Sequence, residues 1–152
     1  MNNYLREKRN WEAGEAPVAV IMISLNEGHN MRAVLDSLTG WAQEVFLVDS
    51  YSKDNTLDIA LEYGVHVVQR RFRGFSDQWN FALRELPIEA AWTMKLDPDE
   101  RLTDKLKEEI PLAIQRESLD AYELNIKLFF MQTELPISLR LTRIWRTGLA
   151  VF

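Results

Sequence analysis

Three carboxylates within four residues, Asp97, Asp99 and Glu100, follow the short, largely apolar run Ala91-Trp92-Thr93-Met94-Lys95-Leu96. Pro98 separates the two aspartates and restricts the loop between them. Carboxylates two apart on extended backbone project to the same side. Mg2+ is commonly held by one or two carboxylates together with substrate phosphates. In an open α/β sheet, ligands sit beyond the carboxyl ends of the strands. An apolar strand that ends in this cluster therefore points to a divalent cation site that receives a diphosphate.

Two other polar clusters follow apolar runs in the same way. Residues 18–24 read as a strand buried on both faces and end in Ser24-Leu25-Asn26-Glu27-Gly28. Residues 44–48 form a second strand, ending in Asp49-Ser50-Tyr51-Ser52-Lys53-Asp54-Asn55. An acidic residue after the second strand suits a ribose hydroxyl or a base N–H. The chain has no Gly-x-Gly-x-x-Gly after its first strand and no Gly-x-x-x-x-Gly-Lys-Ser/Thr, so neither familiar glycine loop cradles phosphate. Metal is the natural substitute, which raises the value of Asp99. Blander readings stand beside these: a solvated turn for 97–100, and helix-capping chemistry for Ser52, Asp54 and Thr56. The Arg70-Arg71-Arg73 run reads as a solvated edge, Trp79, Trp92 and Trp145 as packing residues, and His29 and His66 as structural or surface residues.

The elements that must position these clusters alternate regularly. Asn30 is the expected N-cap of a helix with Met31, Val34, Leu35 and Leu38 on one face, stopped by Gly40. Asp54 or Asn55 caps a second helix, stopped by Gly64; a third strand follows at 65–69 and a third helix at about 76–86. The fourth strand spans 92–96. Four strands alternating with three helices imply a Rossmann-like, mainly parallel sheet with right-handed crossovers and flanking helices. Thr103 should cap a fourth helix that Pro111 kinks or splits. Alternation at 121–130 and 139–146 then predicts a short antiparallel extension. Residues 1–16 read as a flexible or peripheral lead, and 17–152 as one domain. Its apolar close at 148–152 suggests a domain cut short at its C-terminus, with an edge through which a second copy could pair.

The 152 residues carry a net charge of −5, which argues against nucleic acid as a partner. There is no cysteine, which removes thiol chemistry and disulfides and fits a cytoplasmic location. No apolar run is long enough to span a bilayer.

Four segments in register resemble a known family. They are residues 20–27, then Val48-Asp49-Ser50-x-Ser52-x-Asp54-x-Thr56, then Gly74-Phe75-x-x-Gln78-x-Asn80-Phe81-Ala82, then Asp97-x-Asp99-Glu100. Together they look like the donor half of inverting glycosyltransferases of family 2, which have the GT-A fold. The lipopolysaccharide-core type that transfers a hexose is the nearest in flavour. The resemblance implies a UDP-sugar donor lined by Ser24, Asn26, Glu27, Asp49, Ser50, Gln78, Asn80 and Asp97. It implies Mg2+ or Mn2+ on Asp99, and a saccharide or lipid-linked saccharide acceptor reached at the inner face of the membrane. Two departures matter. Trp79 stands where the family usually has Lys or Arg, and the family's catalytic base is expected beyond Phe152. A UDP-sugar-binding module without transfer is therefore the second reading. A Mg2+-dependent phosphoacceptor or phosphatase-like domain is the third, disfavoured because the first strand ends in Ser24-Leu25-Asn26 rather than in an acid.

Overall fold

The computed structural model describes residues 10–116, 118–150 and 152. Most of the expected lead, residues 1–9, lies outside the described residues. Residues 10–15 lie against the domain: the Trp11 indole N–H donates to the Ala42 carbonyl at 2.9 Å, and the Gly14 N–H to the same oxygen at 3.0 Å.

The chain runs β1 (Ala16–Ser24), α1 (Gly28–Leu38), β2 (Ala42–Asp49), α2 (Thr56–Glu62), β3 (His66–Gln69), α3 (Phe75–Glu85), β4 (Trp92–Lys95), α4 (Asp104–Gln115), β5 (Ala121–Phe130) and β6 (Thr133–Arg146). The fold is mixed α/β, with a six-stranded sheet of order β3-β2-β1-β4-β6-β5 flanked by the helices. The first four strands are parallel, and β6 and β5 add antiparallel to β4.

The uninterrupted apolar run of β1 is explained by two cores, one on each face of the sheet. Val18, Val20 and Met22 pack with Met31, Leu35, Ile59, Ile110 and Ile114, that is, with α1, α2 and α4. Ala19 and Ile21 face the other way, against Trp79, Ala82 and Leu86 of α3 and its exit. Strand order reverses between β1 and β4, because the chain builds outward to β3 and then crosses back to the far side of β1. In such sheets this reversal leaves a crevice between the carboxyl ends of the two strands. Here the loops beginning at Leu25 and at Leu96 flank it.

Two helix expectations are corrected. Asn30 is not the cap of α1: the helix starts at Gly28 with Glu27 in the cap position, and the Asn30 amide instead donates to the Glu27 carboxylate at 2.9 Å. Nor does Pro111 split α4, which runs unbroken through it. Proline at 111 cannot bond the carbonyl four residues earlier. That carbonyl, on Lys107, accepts the Trp41 indole N–H at 2.9 Å instead. Thr103 caps α4 as expected, its hydroxyl accepting the Leu106 N–H at 3.1 Å.

β5 and β6 form a hairpin closed by Met131 and Gln132, both in the left-handed region (φ 46° and 64°), as a tight two-residue turn requires. Only Arg146, Trp145 and Ile144 of β6 pair with β4, so the distal hairpin extends past the parallel sheet. Its ladder slips between Lys127 and Phe129, the irregularity that accommodates Pro136 within a strand.

Candidate functional site

The loops after β1 and β2 are sewn together by side chains that reach across to backbone. Three consecutive N–H groups in the first loop donate into the second. Asn26 N–H bonds Ser52 Oγ at 2.8 Å, Glu27 N–H bonds Thr56 Oγ1 at 2.9 Å, and Gly28 N–H bonds Asp54 Oδ2 at 2.9 Å. Asn26, itself held in the left-handed region (φ 55°), in return accepts the Lys53 N–H on Oδ1 at 2.8 Å. The Glu27 and Gly28 N–H groups at the start of α1, which have no partner inside the helix, are thus capped from the neighbouring loop. Asp54 also accepts the Thr56 N–H at 3.0 Å, so one carboxylate serves the starts of α1 and α2. Bonding to Thr56 lowers the Asp54 carboxyl below its ordinary value, against an opposing effect of burial. Gly28 packs closely under this loop: a Cβ there would meet Asn55 Oδ1 at 1.9 Å, so any larger residue would displace the Asn55 side chain.

Asp49 lies beneath this seam with no exposed surface. Its carboxylate accepts Ser24 Oγ at 2.8 Å, Ser52 N–H at 2.8 Å and Ser52 Oγ at 2.5 Å, with Gln69 Nε2 farther off at 3.4 Å. It brackets the ends of β1 and β2, and any direct contact with a base or ribose would require these bonds to be given up. Gln78, also fully buried, donates from Nε2 to Ser50 Oγ at 3.2 Å and accepts Arg70 Nη1 at 2.9 Å. Ser24, Asn26, Glu27, Asp49, Ser50 and Gln78 therefore belong to one connected set. Asn80 stands apart: its amide pairs with the backbone of Phe152, whose N–H reaches Asn80 Oδ1 at 2.7 Å.

The 97–100 loop is a closed turn, with Glu100 N–H donating to the Asp97 carbonyl at 2.9 Å. Its carboxylates have unlike fates. Glu100 folds back so that Oε2 accepts the Asp97 N–H at 3.0 Å, while Oε1 accepts Arg143 Nη2 at 2.7 Å. Burial pushes the Glu100 carboxyl above its ordinary range, against the opposing effects of the Asp97 N–H and Arg143. Asp97 is partly exposed, its Oδ2 3.6 Å from the same guanidinium. Asp99 is exposed, and its side chain has no hydrogen bond or ion pair among the described residues. Arg101 ties the loop to the opposite wall, donating to the Pro98 and Glu100 carbonyls at 2.6 Å and to the Asn30 carbonyl at 3.2 Å. A groove of about 900 Å³ leads away from Asp97, Asp99 and Glu100, between α4 and the β5–β6 hairpin.

Three residues matter here that the sequence did not single out. Arg143 is a buried cation delivered by β6. Tyr51 is exposed beside Ser50 in the left-handed region (φ 62°), an unusual place for an aromatic. Lys95 sets its ammonium 4.7 Å from the Trp79 ring centroid, so a cation stands next to position 79 although that residue carries none. Burial lowers the Lys95 pKa, partly offset by Asp97. Only the positive φ at 51 had a sequence signal, because the preceding Asp-Ser and following Ser-Lys-Asp mark a tight turn.

Residues 19–146 match the family described as "Glycosyl transferase family 2". A glycosyltransferase of Rickettsia bellii is 32% identical over 115 residues, covering 75% of this chain and 38% of the relative. The lipopolysaccharide core biosynthesis glycosyltransferase LpsC of Rhizobium meliloti is 31% identical over 100 residues, covering 62% of this chain and 36% of the relative. The chain thus spans well under half the length of these curated relatives. Among solved structures, S. aureus TarS 1–349 in complex with UDP-GlcNAc superposes with a TM-score of 0.64 at 21% identity, covering 87% of this chain and 46% of that one.

Proposed function

The chain belongs to glycosyl transferase family 2, and from that premise we propose that it binds a UDP-sugar for inverting transfer of a hexose to a saccharide or lipid-linked saccharide acceptor. One observation carries the reading. At the strand-order reversal, the only carboxylate of the 97–100 loop left exposed and unpartnered among the described residues is Asp99.

In this reading the nucleotide lies over the seam between the first two loops. Asn26, Glu27, Ser50 and the exposed ring of Tyr51 face it, while Asp49, Ser24 and Gln78 hold that surface in place from below. Asp97 turns toward the ribose and donor sugar. Among the described residues no three acidic or histidine groups converge to hold a cation. An exposed carboxylate pair suits a hard ion such as Mg2+ or Mn2+, which Asp99, with help from Asp97, would hold together with diphosphate oxygens. When bound, such an ion stabilises the departing UDP as a Lewis acid. A lipid-linked acceptor would bring the protein to a membrane surface; no described helix is long and apolar enough to cross one.

A second reading, donor binding without transfer by this chain, has its own support. Both Glu100 oxygens are occupied, and Glu123 and Glu134 pair across the hairpin with Arg140 and Lys127. Glu100 is thereby withdrawn from taking the acceptor's proton, whereas the exposed pairs of Glu123 and Glu134 hold those carboxylates only weakly. Calorimetry with UDP, GDP and ADP in Mn2+ separates the donor reading from a phosphatase-like one. UDP should bind at least about tenfold tighter than ADP; equal affinity for all three would remove the nucleotide pocket.

A further inference from the structure

Three carboxylates lie within four residues of the 97–100 loop, yet they do not converge. Two of them instead face one cation on β6. Arg143 reaches Glu100 Oε1 at 2.7 Å and stands 3.6 Å from Asp97 Oδ2, and its side chain is only 7% exposed. The Asp97 N–H occupies the other Glu100 oxygen. Arg143 is itself fixed by its neighbour Ile144, which pairs with Met94 two residues upstream of Leu96. A rigid sheet element therefore decides which carboxylates of a turn are available.

We propose that Arg143 is a positioning residue that makes cation binding at this loop depend on the nucleotide. By sequestering Glu100 and facing Asp97, it leaves Asp99 and part of Asp97 for an ion. One or two carboxylates beside a guanidinium hold a hydrated divalent cation weakly, because the positive charge nearby opposes it. Diphosphate oxygens supply the missing ligands and charge, so ion and nucleotide arrive as a pair. Without Arg143, Glu100 keeps its bond from the Asp97 N–H but its Oε1 becomes a further oxygen for the ion, which then needs less from the nucleotide. This rests on the proposed donor site, but its first readout uses the metal alone.

The test titrates Mn2+ alone, following the free ion by electron paramagnetic resonance, and then repeats the titration with UDP present. In the unaltered chain Mn2+ alone should bind at least about tenfold more weakly than with UDP. Arg143→Met should tighten Mn2+ alone by about tenfold and shrink the effect of UDP. Arg143→Met/Glu100→Gln should return to the original weak binding, because the gain requires the Glu100 charge. Glu100→Gln alone, which keeps an acceptor for Arg143 and serves if Arg143→Met fails to fold, should leave Mn2+–UDP binding within about twofold. Unchanged or weaker Mn2+ binding in Arg143→Met overturns the proposal, as does a tenfold loss in Glu100→Gln. Tight Mn2+ binding to the unaltered chain without UDP overturns it while leaving the donor site standing; absence of any UDP effect on Mn2+ removes both.

Discussion

Replacing Asp49 separates a bracket from a ligand contact. Its carboxylate accepts Ser24 Oγ and Ser52 N–H, each at 2.8 Å, and Ser52 Oγ at 2.5 Å, with no exposed surface. A hydrogen bond to a charged group contributes about 1.5–3 kcal/mol. The two serine hydroxyls can rotate toward other acceptors, but the Ser52 N–H cannot, so simple summation overstates the loss. Asp49→Ala should cost about 3–5 kcal/mol, a large share of the roughly 5–15 kcal/mol typical of a domain. Asp49→Asn keeps one oxygen for both hydroxyls but turns an NH2 toward the Ser52 N–H, and should cost about 2 kcal/mol. Urea unfolding followed by tryptophan fluorescence measures both, with UDP affinity determined on the folded Asn variant. The bracket predicts a large stability loss and UDP affinity changed by no more than about threefold. An Asp49→Ala chain within about 1 kcal/mol of the original, with UDP binding lost, would refute it and return Asp49 to the ligand.

Asp54 holds the starts of two helices, so Asp54→Ala should cost about 1–2 kcal/mol. Because its folded pKa lies below the unfolded one, that stabilisation is present above the unfolded pKa and is lost as pH falls through the folded value. In thermal melts the gap between the Ala variant and the original chain should therefore narrow as pH falls below the unfolded carboxylate range; a gap constant with pH would contradict the assignment. Trp41→Phe should cost about 1 kcal/mol by orphaning the Lys107 carbonyl. Adding Pro111→Ala should recover most of that loss by restoring the helical bond, and strict additivity in this double-mutant cycle would show that the indole does not serve Pro111.

Much of the parallel half was readable because its central strands, β1, β2 and β4, are largely buried on both faces. Continuous runs such as Val18-Ala19-Val20-Ile21-Met22 mark doubly buried strands, although β1 and β2 each begin two residues earlier than those runs suggest. The acidic loop was readable for a related reason: charge following an apolar strand has to lie at the sheet's edge. What escaped depends on partners distant in sequence. Pro111 is tolerated because Trp41, 66 residues before Lys107, takes the freed carbonyl. Asn30 lost the cap position because side chains from the β2–α2 loop satisfy α1, leaving its own amide to pair with Glu27. Arg143 read as one basic residue in an alternating strand; only the β4–β6 pairing sets it against Glu100, 43 residues away. Asp49 was legible as polar chemistry at a strand end, but its burial is a property of three loops meeting.

The account's central claim is that Asp99 and the first two loops make one UDP and cation site. A crystal structure with UDP and Mn2+ tests it most directly. The anomalous signal of the ion should lie roughly 2 Å from an Asp99 oxygen and touch the diphosphate, with uridine over Asn26, Ser50 and Tyr51. Manganese bound without Asp99, or UDP seated away from the crevice between β1 and β4, would contradict it.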